Sequence, residues 1–204
     1  MRLMPLMTVG ATATIMLVAT PLAAMAQYNA PDAARLDRNL FVFGGPFQHE
    51  WVWDTTMFWK DHYEDNFFAG VGYQNFLYHT DFGLRAGVEI GLGLRSGPQA
   101  SGEAWLGAVA RYDGLRLGDL NLAPAVTAGL SLVTDTIGVE AERARNIGQS
   151  VPVLFYLGPE ISISHADNPN AELMLRIQHR SGGYGIIAPI DGSNAATLGM
   201  RFAF

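Results

Sequence analysis

The sequence predicts an all-β fold, an eight-stranded antiparallel β-barrel of the outer-membrane kind, on three observations. Apolar residues recur with a period of two in one segment after another, the mark of strands with one apolar face. Charged residues make up only 16% of the 204-residue chain, and Lys60 is the only lysine, where about 25% charged residues is usual for soluble domains. Beyond residue 26 no run approaches the ~18 uninterrupted apolar residues of a membrane helix. A chain that crosses a bilayer without such helices must do so as a closed sheet, the other arrangement that satisfies every backbone group in hydrocarbon.

The N-terminus reads as an export signal. Arg2 precedes a mostly apolar stretch from Val9 to Leu22, and Ala24-Met25-Ala26 supplies the small residues at which a signal peptidase cuts. Residues 1–26 are therefore expected to be a signal peptide and residues 27–204 a single barrel domain.

The strands follow in order. Leu40 to Phe47 and Asn66 to Leu77 are the first two. The third, Phe82 to Arg95, is the clearest: Phe82, Leu84, Ala86, Val88, Ile90, Leu92 and Leu94 share one face, and glycines with Arg85, Glu89 and Arg95 share the other. In the fourth, Glu103, Trp105, Val109 and Arg111 oppose Ala104, Leu106, Ala108 and Tyr112. Leu120 to Val133 is the fifth. In the sixth, Val151 to Ser164, Val153, Phe155, Leu157, Ile161 and Ile163 oppose Tyr156, Glu160 and Ser162. Ala171 to Ser181 is the seventh, and Ala195 to Phe204 the last, with Leu198, Met200, Phe202 and Phe204 on its apolar side. A terminal phenylalanine on an amphipathic last strand resembles the assembly signal of bacterial outer-membrane barrels. Eight is the smallest even strand number among such barrels, and about 11 residues tilted by ~45° span the ~25 Å apolar band.

A soluble lipocalin-like barrel with its apolar faces turned inward has the same alternation. Composition separates the two, because glycine alternating with Arg and Glu suits a narrow neutral lumen, whereas a soluble exterior carries many lysines. Short connections (His79 to Asp81, Asp113 to Asp119, His165 to Asn170) are expected at the periplasmic end. Long ones (Gln48 to Asp65, Thr134 to Ser150, Gly182 to Asn194) are expected outside, with Arg95 to Ser101 the exception. Trp51, Trp53, Phe58, Trp59 and Tyr63 of the first long connection suit a membrane-interface girdle.

The formal net charge is −6 and no cysteine is present, which argues against nucleic acid as a partner and against disulfides or thiolate metal sites. His49, Glu50, His62 and Glu64 match no compact ligand motif, so neither a metal nor a cofactor is expected.

The chemistry lies in the seventh strand. Leu173, Leu175 and Ile177 define its apolar face, and the period of two places His179 and Ser181 on that same face. Polar groups there need a reason. Either the strand has reached the headgroup region, or the pair is a base and nucleophile facing the bilayer. Near the expected outer end, Arg143, Arg145 and Arg180 are candidates to hold lipid phosphates bidentately, or else are loop charges answered by Glu140 and Glu142.

The run Ile177-Gln178-His179-Arg180-Ser181, followed by a loop and the C-terminal strand, resembles the end of the outer-membrane lipid A 3-O-deacylases of the PagL type. The resemblance covers Ile177 to Phe204 specifically and the rest in barrel layout. It implies Ser181 as nucleophile and His179 as general base in hydrolysis of an acyl ester of lipid A. The family's asparagine after the serine, associated with the oxyanion site, is Gly182 here, and its histidine-orienting glutamate falls on Asn194, with Asp191 the other candidate. The implied partner is lipid A or lipopolysaccharide in the outer leaflet of a Gram-negative outer membrane, the protein acting as a monomer. The alternative is a non-catalytic structural or ligand-binding barrel. The loop after Ser181 discriminates: a hydrolase must return Asn194 or Asp191 to His179.

Overall fold

The computed structural model describes residues 36–49 and 63–204. The expected signal peptide, with its cleavage site, and Trp51, Trp53, Phe58 and Trp59 lie outside the described residues.

Nine strands form in the described chain: β1 (Arg38–Gln48), β2 (Tyr63–His79), β3 (Leu84–Ser96), β4 (Ala100–Tyr112), β5 (Leu115–Leu117), β6 (Leu120–Val133), β7 (Val153–His165), β8 (Asn168–Ser181) and β9 (Asp191–Ala203). Eight of them are the staves of a closed barrel. Each pairs antiparallel with its neighbours, and β1 closes the ring by pairing with both β2 and β9. The ninth, β5, is a short ribbon folded back on the start of β6. Closure leaves none of the eight staves as an edge strand, which hydrocarbon requires.

The expected faces hold. On β3, Val88 and Ile90 are 45% and 54% exposed while Glu89 between them is 1% exposed. The exposed set Val88, Leu106, Leu130, Leu173, Leu198 and Met200 forms the apolar outer wall. Short turns and the C-terminus share one end; the 134–152 and 182–190 connections share the other with the three-residue link Gly97 to Gln99.

The lumen holds more than the expected glycine and charge. A layer of Phe41, Phe43, Phe68, Trp105 and Tyr156 crosses it, with Trp105 stacked on Tyr156 at 5.7 Å and edge-on to Phe43. Alternation places these rings inside, and glycine makes the room: a Cβ on Gly91 would lie 2.0 Å from the Trp105 ring. Around the layer runs an ionic network. Glu89 accepts hydrogen bonds from Gln74, Trp105 and Thr127, each at 2.7 Å, and pairs with Arg176. Glu160 pairs with Arg176 and Arg201, and Glu172 with Arg201 and Arg111. Each charge is answered, so burial in the low-dielectric lumen is tolerated.

One element departs from the sequence reading. Within 134–150, expected to be a loop, Gly138–Asn146 is an α-helix, α1. Its N-cap residue, Ile137, makes no side-chain cap; instead Glu64 of β2 accepts the Val139 N–H at 3.2 Å. The helix sits on the outer mouth of the barrel, where Ala144 and Ile147 pack with Val151, Leu154, Ala188 and Ile190.

Candidate functional site

Strand pairing builds the site on the outer face of β8 and β9. His179 lies opposite Leu157 of β7 and Asn194 of β9, and Ser181 lies opposite Phe155 and Asp191. Directly paired residues in a sheet point to the same side, so all four polar residues share the face of Leu157 and Phe155. Asn194 and Asp191 are three apart, a spacing that an unbroken strand sends to opposite faces. A register shift between Arg180 and Ser181 leaves Gly192 unpaired and returns Asp191 to the outer side.

The side chains then meet in series. His179 Nδ1 is 2.5 Å from Asn194 Oδ1, Asn194 Nδ2 is 3.3 Å from Asp191 Oδ2, and His179 Nδ1 is 3.8 Å from Asp191 Oδ1. An ionised carboxylate only accepts hydrogen bonds, so the amide nitrogen of Asn194 must face Asp191 and its oxygen must face the histidine. In this arrangement Nδ1–H donates to Asn194 Oδ1, and in the neutral imidazole the lone pair then lies on Nε2. His179 is 6% exposed and Asn194 fully buried, so solvent competes little for this contact. Ser181 is half-buried, two residues along the same face, and its hydroxyl makes no hydrogen bond among the described residues.

A row of paired residues fixes the height of the site. Tyr63, Gln48, Asn194, His179 and Leu157 are successive partners across five strands. The next outer-face partners toward the barrel middle are Phe67 with Pro46 and Ala196 with Ile177. The polar row therefore stands at the upper edge of the apolar wall. Gln48 went unnoticed in the sequence; it is 2% exposed, and neither polar atom of its amide has a partner among the described residues.

The loop from 182 to 190 folds back on the serine. Gly182 N–H donates to Ile190 O at 2.8 Å, and Ile187 N–H to Gly182 O at 2.9 Å. A Cβ at position 182 would lie 1.7 Å from Ala188 O, which is why glycine stands where the resembling family has asparagine. The Gly182 amide, expected at the oxyanion position, is committed to Ile190 in this arrangement.

The three arginines expected at lipid phosphate are not brought together. Arg180 faces the lumen, as its place between His179 and Ser181 dictates; it is fully buried and donates to Glu140 Oε1 at 2.6 Å and Pro152 O at 2.8 Å. Its expected role at the outer surface is corrected by strand parity. Arg143 donates to the carbonyls of Asp191 and Gly192 at 2.8 and 3.2 Å. Arg145 is exposed on α1, beside an open groove lined by Asn66, Gln99, Asp135 and Gln149. Glu140, expected to answer these arginines, does pair with Arg180, but inside the lumen, where it lies between Arg95 and Arg180, 2.6 Å from each. His49 is exposed, Glu64 is engaged with α1, and Glu50 and His62 lie outside the described residues.

No protein-family model matches the chain, and no curated protein sequence does. Solved structures do. Over 81% of this chain and 99% of the other, the barrel is similar to the crystal structure of the outer membrane enzyme PagL, with a TM-score of 0.54 and 14% identity. The fold is that of an outer-membrane barrel. Neisserial surface protein A is similar over 82% of this chain and 97% of its own, with a TM-score of 0.48 and 14% identity. The N-terminal barrel domain of Pseudomonas aeruginosa OprF is similar over 82% of this chain and 97% of its own, with a TM-score of 0.47 and 12% identity.

Proposed function

We propose that this barrel is an outer-membrane esterase that hydrolyses an acyl ester of lipid A. The observation that carries the reading is the series His179, Asn194, Asp191, buried on the outward side of β8 and β9, which leaves His179 Nε2 as a base two residues from Ser181 on one face. In the proposed reaction Nε2 takes the Ser181 hydroxyl proton as Oγ attacks the acyl carbonyl, and the resulting imidazolium is held through Asn194 by the Asp191 carboxylate. Collapse of the tetrahedral intermediate breaks the ester bond as the His179 proton passes to the departing alkoxide oxygen, and water, deprotonated by His179, then attacks the acyl-serine and releases the acid while the proton returns to Ser181 Oγ. The height of the polar row supports the substrate class, since an ester lies where acyl chains meet the headgroup. Oxyanion stabilisation at Gly182 requires the loop to release its bond to Ile190 O.

The non-catalytic barrel keeps one observation in its favour, the commitment of the Gly182 amide together with the unbonded Ser181 hydroxyl. Mass analysis of lipid A incubated with the purified protein separates the two. Release of fatty acid should vanish in Ser181→Ala and nearly vanish in His179→Ala, with the double variant little worse than either, because members of a catalytic unit are strongly non-additive. A wild-type protein that releases nothing from lipid A or phospholipid would leave the structural barrel standing.

The reading includes export from a Gram-negative cytoplasm. N-terminal sequencing of the protein recovered from outer membranes should begin at Gln27; a soluble periplasmic pool would contradict it.

A further inference from the structure

Arg143 is held by groups that belong to the site. The bulge at Gly192 withdraws backbone carbonyls from the sheet ladder, and buried carbonyls need donors. Arg143 supplies them: Nη1 donates to Asp191 O and Gly192 O and lies 3.5 Å from Asp191 Oδ2, while Nη2 donates to His49 O at 3.1 Å, tying in the end of β1. Only a planar fork of several donors reaches both carbonyls, the carboxylate and a second strand together.

Three residues earlier on the same helix, Glu140 is fully buried and pairs with Arg180, the residue between His179 and Ser181. Helix α1 thus straddles the barrel rim, with Glu140 inside and Arg143 outside. The contacts form a closed circuit: Arg180 of β8 to Glu140, along α1 to Arg143, to Asp191 of β9, through Asn194, and back to His179 of β8.

We propose that Arg143 is a positioning residue for His179, acting through Asp191, and that it is not a ligand of lipid phosphate. The inference rests on reading Ser181 and His179 as a hydrolytic pair. Without Arg143 the bulge carbonyls and the Asp191 carboxylate lose their shared anchor, Asn194 loses a fixed partner, and the imidazole is free to turn.

Two measurements on the full-length protein in detergent micelles test this. With lipid A as substrate, Arg143→Ala should lower kcat by roughly tenfold to a hundredfold, the scale of a small misplacement of a reacting group, and leave KM unchanged. The loss should be equal on lipid A stripped of its phosphates, and Arg143→Lys should fall between Ala and wild type. A phosphate ligand would instead raise KM, and only on the phosphorylated lipid; that outcome overturns the proposal. The second measurement needs no activity. The downfield proton resonance of a hydrogen-bonded His179 Nδ1–H should be present in wild type and in Ser181→Ala, and lost in Arg143→Ala and Asn194→Ala while the barrel still migrates as folded without heating. A resonance that survives Arg143→Ala overturns the proposal whatever the activity. A wild type that cleaves no lipid but shows the expected resonances would defeat the esterase reading and leave the positioning role supported.

Discussion

At the scale of single residues, the series arrangement changes what the orienting positions should do. If Asn194 and Asp191 were alternatives, one would be silent on substitution. Linked through the 3.3 Å contact of Asn194 Nδ2 with Asp191 Oδ2, both should matter, and Asn194→Ala and Asp191→Ala should each lower turnover strongly and non-additively. Asn194→Glu alone should not raise activity, because two carboxylates would face each other and disfavour ionisation. Exchanging the two groups, Asn194→Glu with Asp191→Asn, places the carboxylate directly on the imidazole and should match or exceed wild-type turnover; a dead exchange variant beside an active wild type would count against the orienting network. The period of two was enough to place His179 and Ser181 on one face. It was not enough for Asp191, because the bulge at Gly192 follows from pairing with β8 and leaves no local mark in the sequence. Arg180 was legible by the same parity that placed its neighbours, and the proximity of charge to the outer end obscured it.

At the scale of elements, the strands were readable because each carries its own alternation. Their facing can be tested on β3. Ile90 is mid-strand and 54% exposed on the apolar wall, so Ile90→Arg should cost about 2–4 kcal/mol near the bilayer midplane, measured by reversible unfolding in lipid vesicles. A neutral change would mean that this face does not meet hydrocarbon. Helix α1 was not readable for a matching reason. Its sequence Gly138–Asn146 lacks a local N-cap side chain, and what holds it is supplied from afar: Glu64 on β2 caps it, and Arg95 and Arg180 receive its Glu140. The fold-back of the 182–190 loop is equally non-local in cause, visible in the sequence only as a glycine where an asparagine was expected.

At the scale of the whole molecule, the barrel is held from within by ions whose partners come from different strands. Arg176 joins Glu89 of β3 to Glu160 of β7 and to the Tyr156 hydroxyl. Removing Arg176 leaves the buried Glu89 carboxylate without its cation, while Glu160 keeps Arg201, so Arg176→Met should destabilise the barrel by about 3–5 kcal/mol. Adding Glu89→Gln should recover much of that loss, read as the urea midpoint for refolding into vesicles. If the single variant unfolds like wild type, the lumen network contributes little to stability. The general character of this interior was legible from Arg and Glu alternating with glycine; the ring layer was not, because Phe41, Phe43 and Phe68 precede any segment with a clear charged face. With Trp105, Tyr156 and the phenylalanines packed across the bore, the described residues fill the lumen at this level with side chains. A barrel filled at this level presents its rim and outer wall, rather than its bore, to its surroundings.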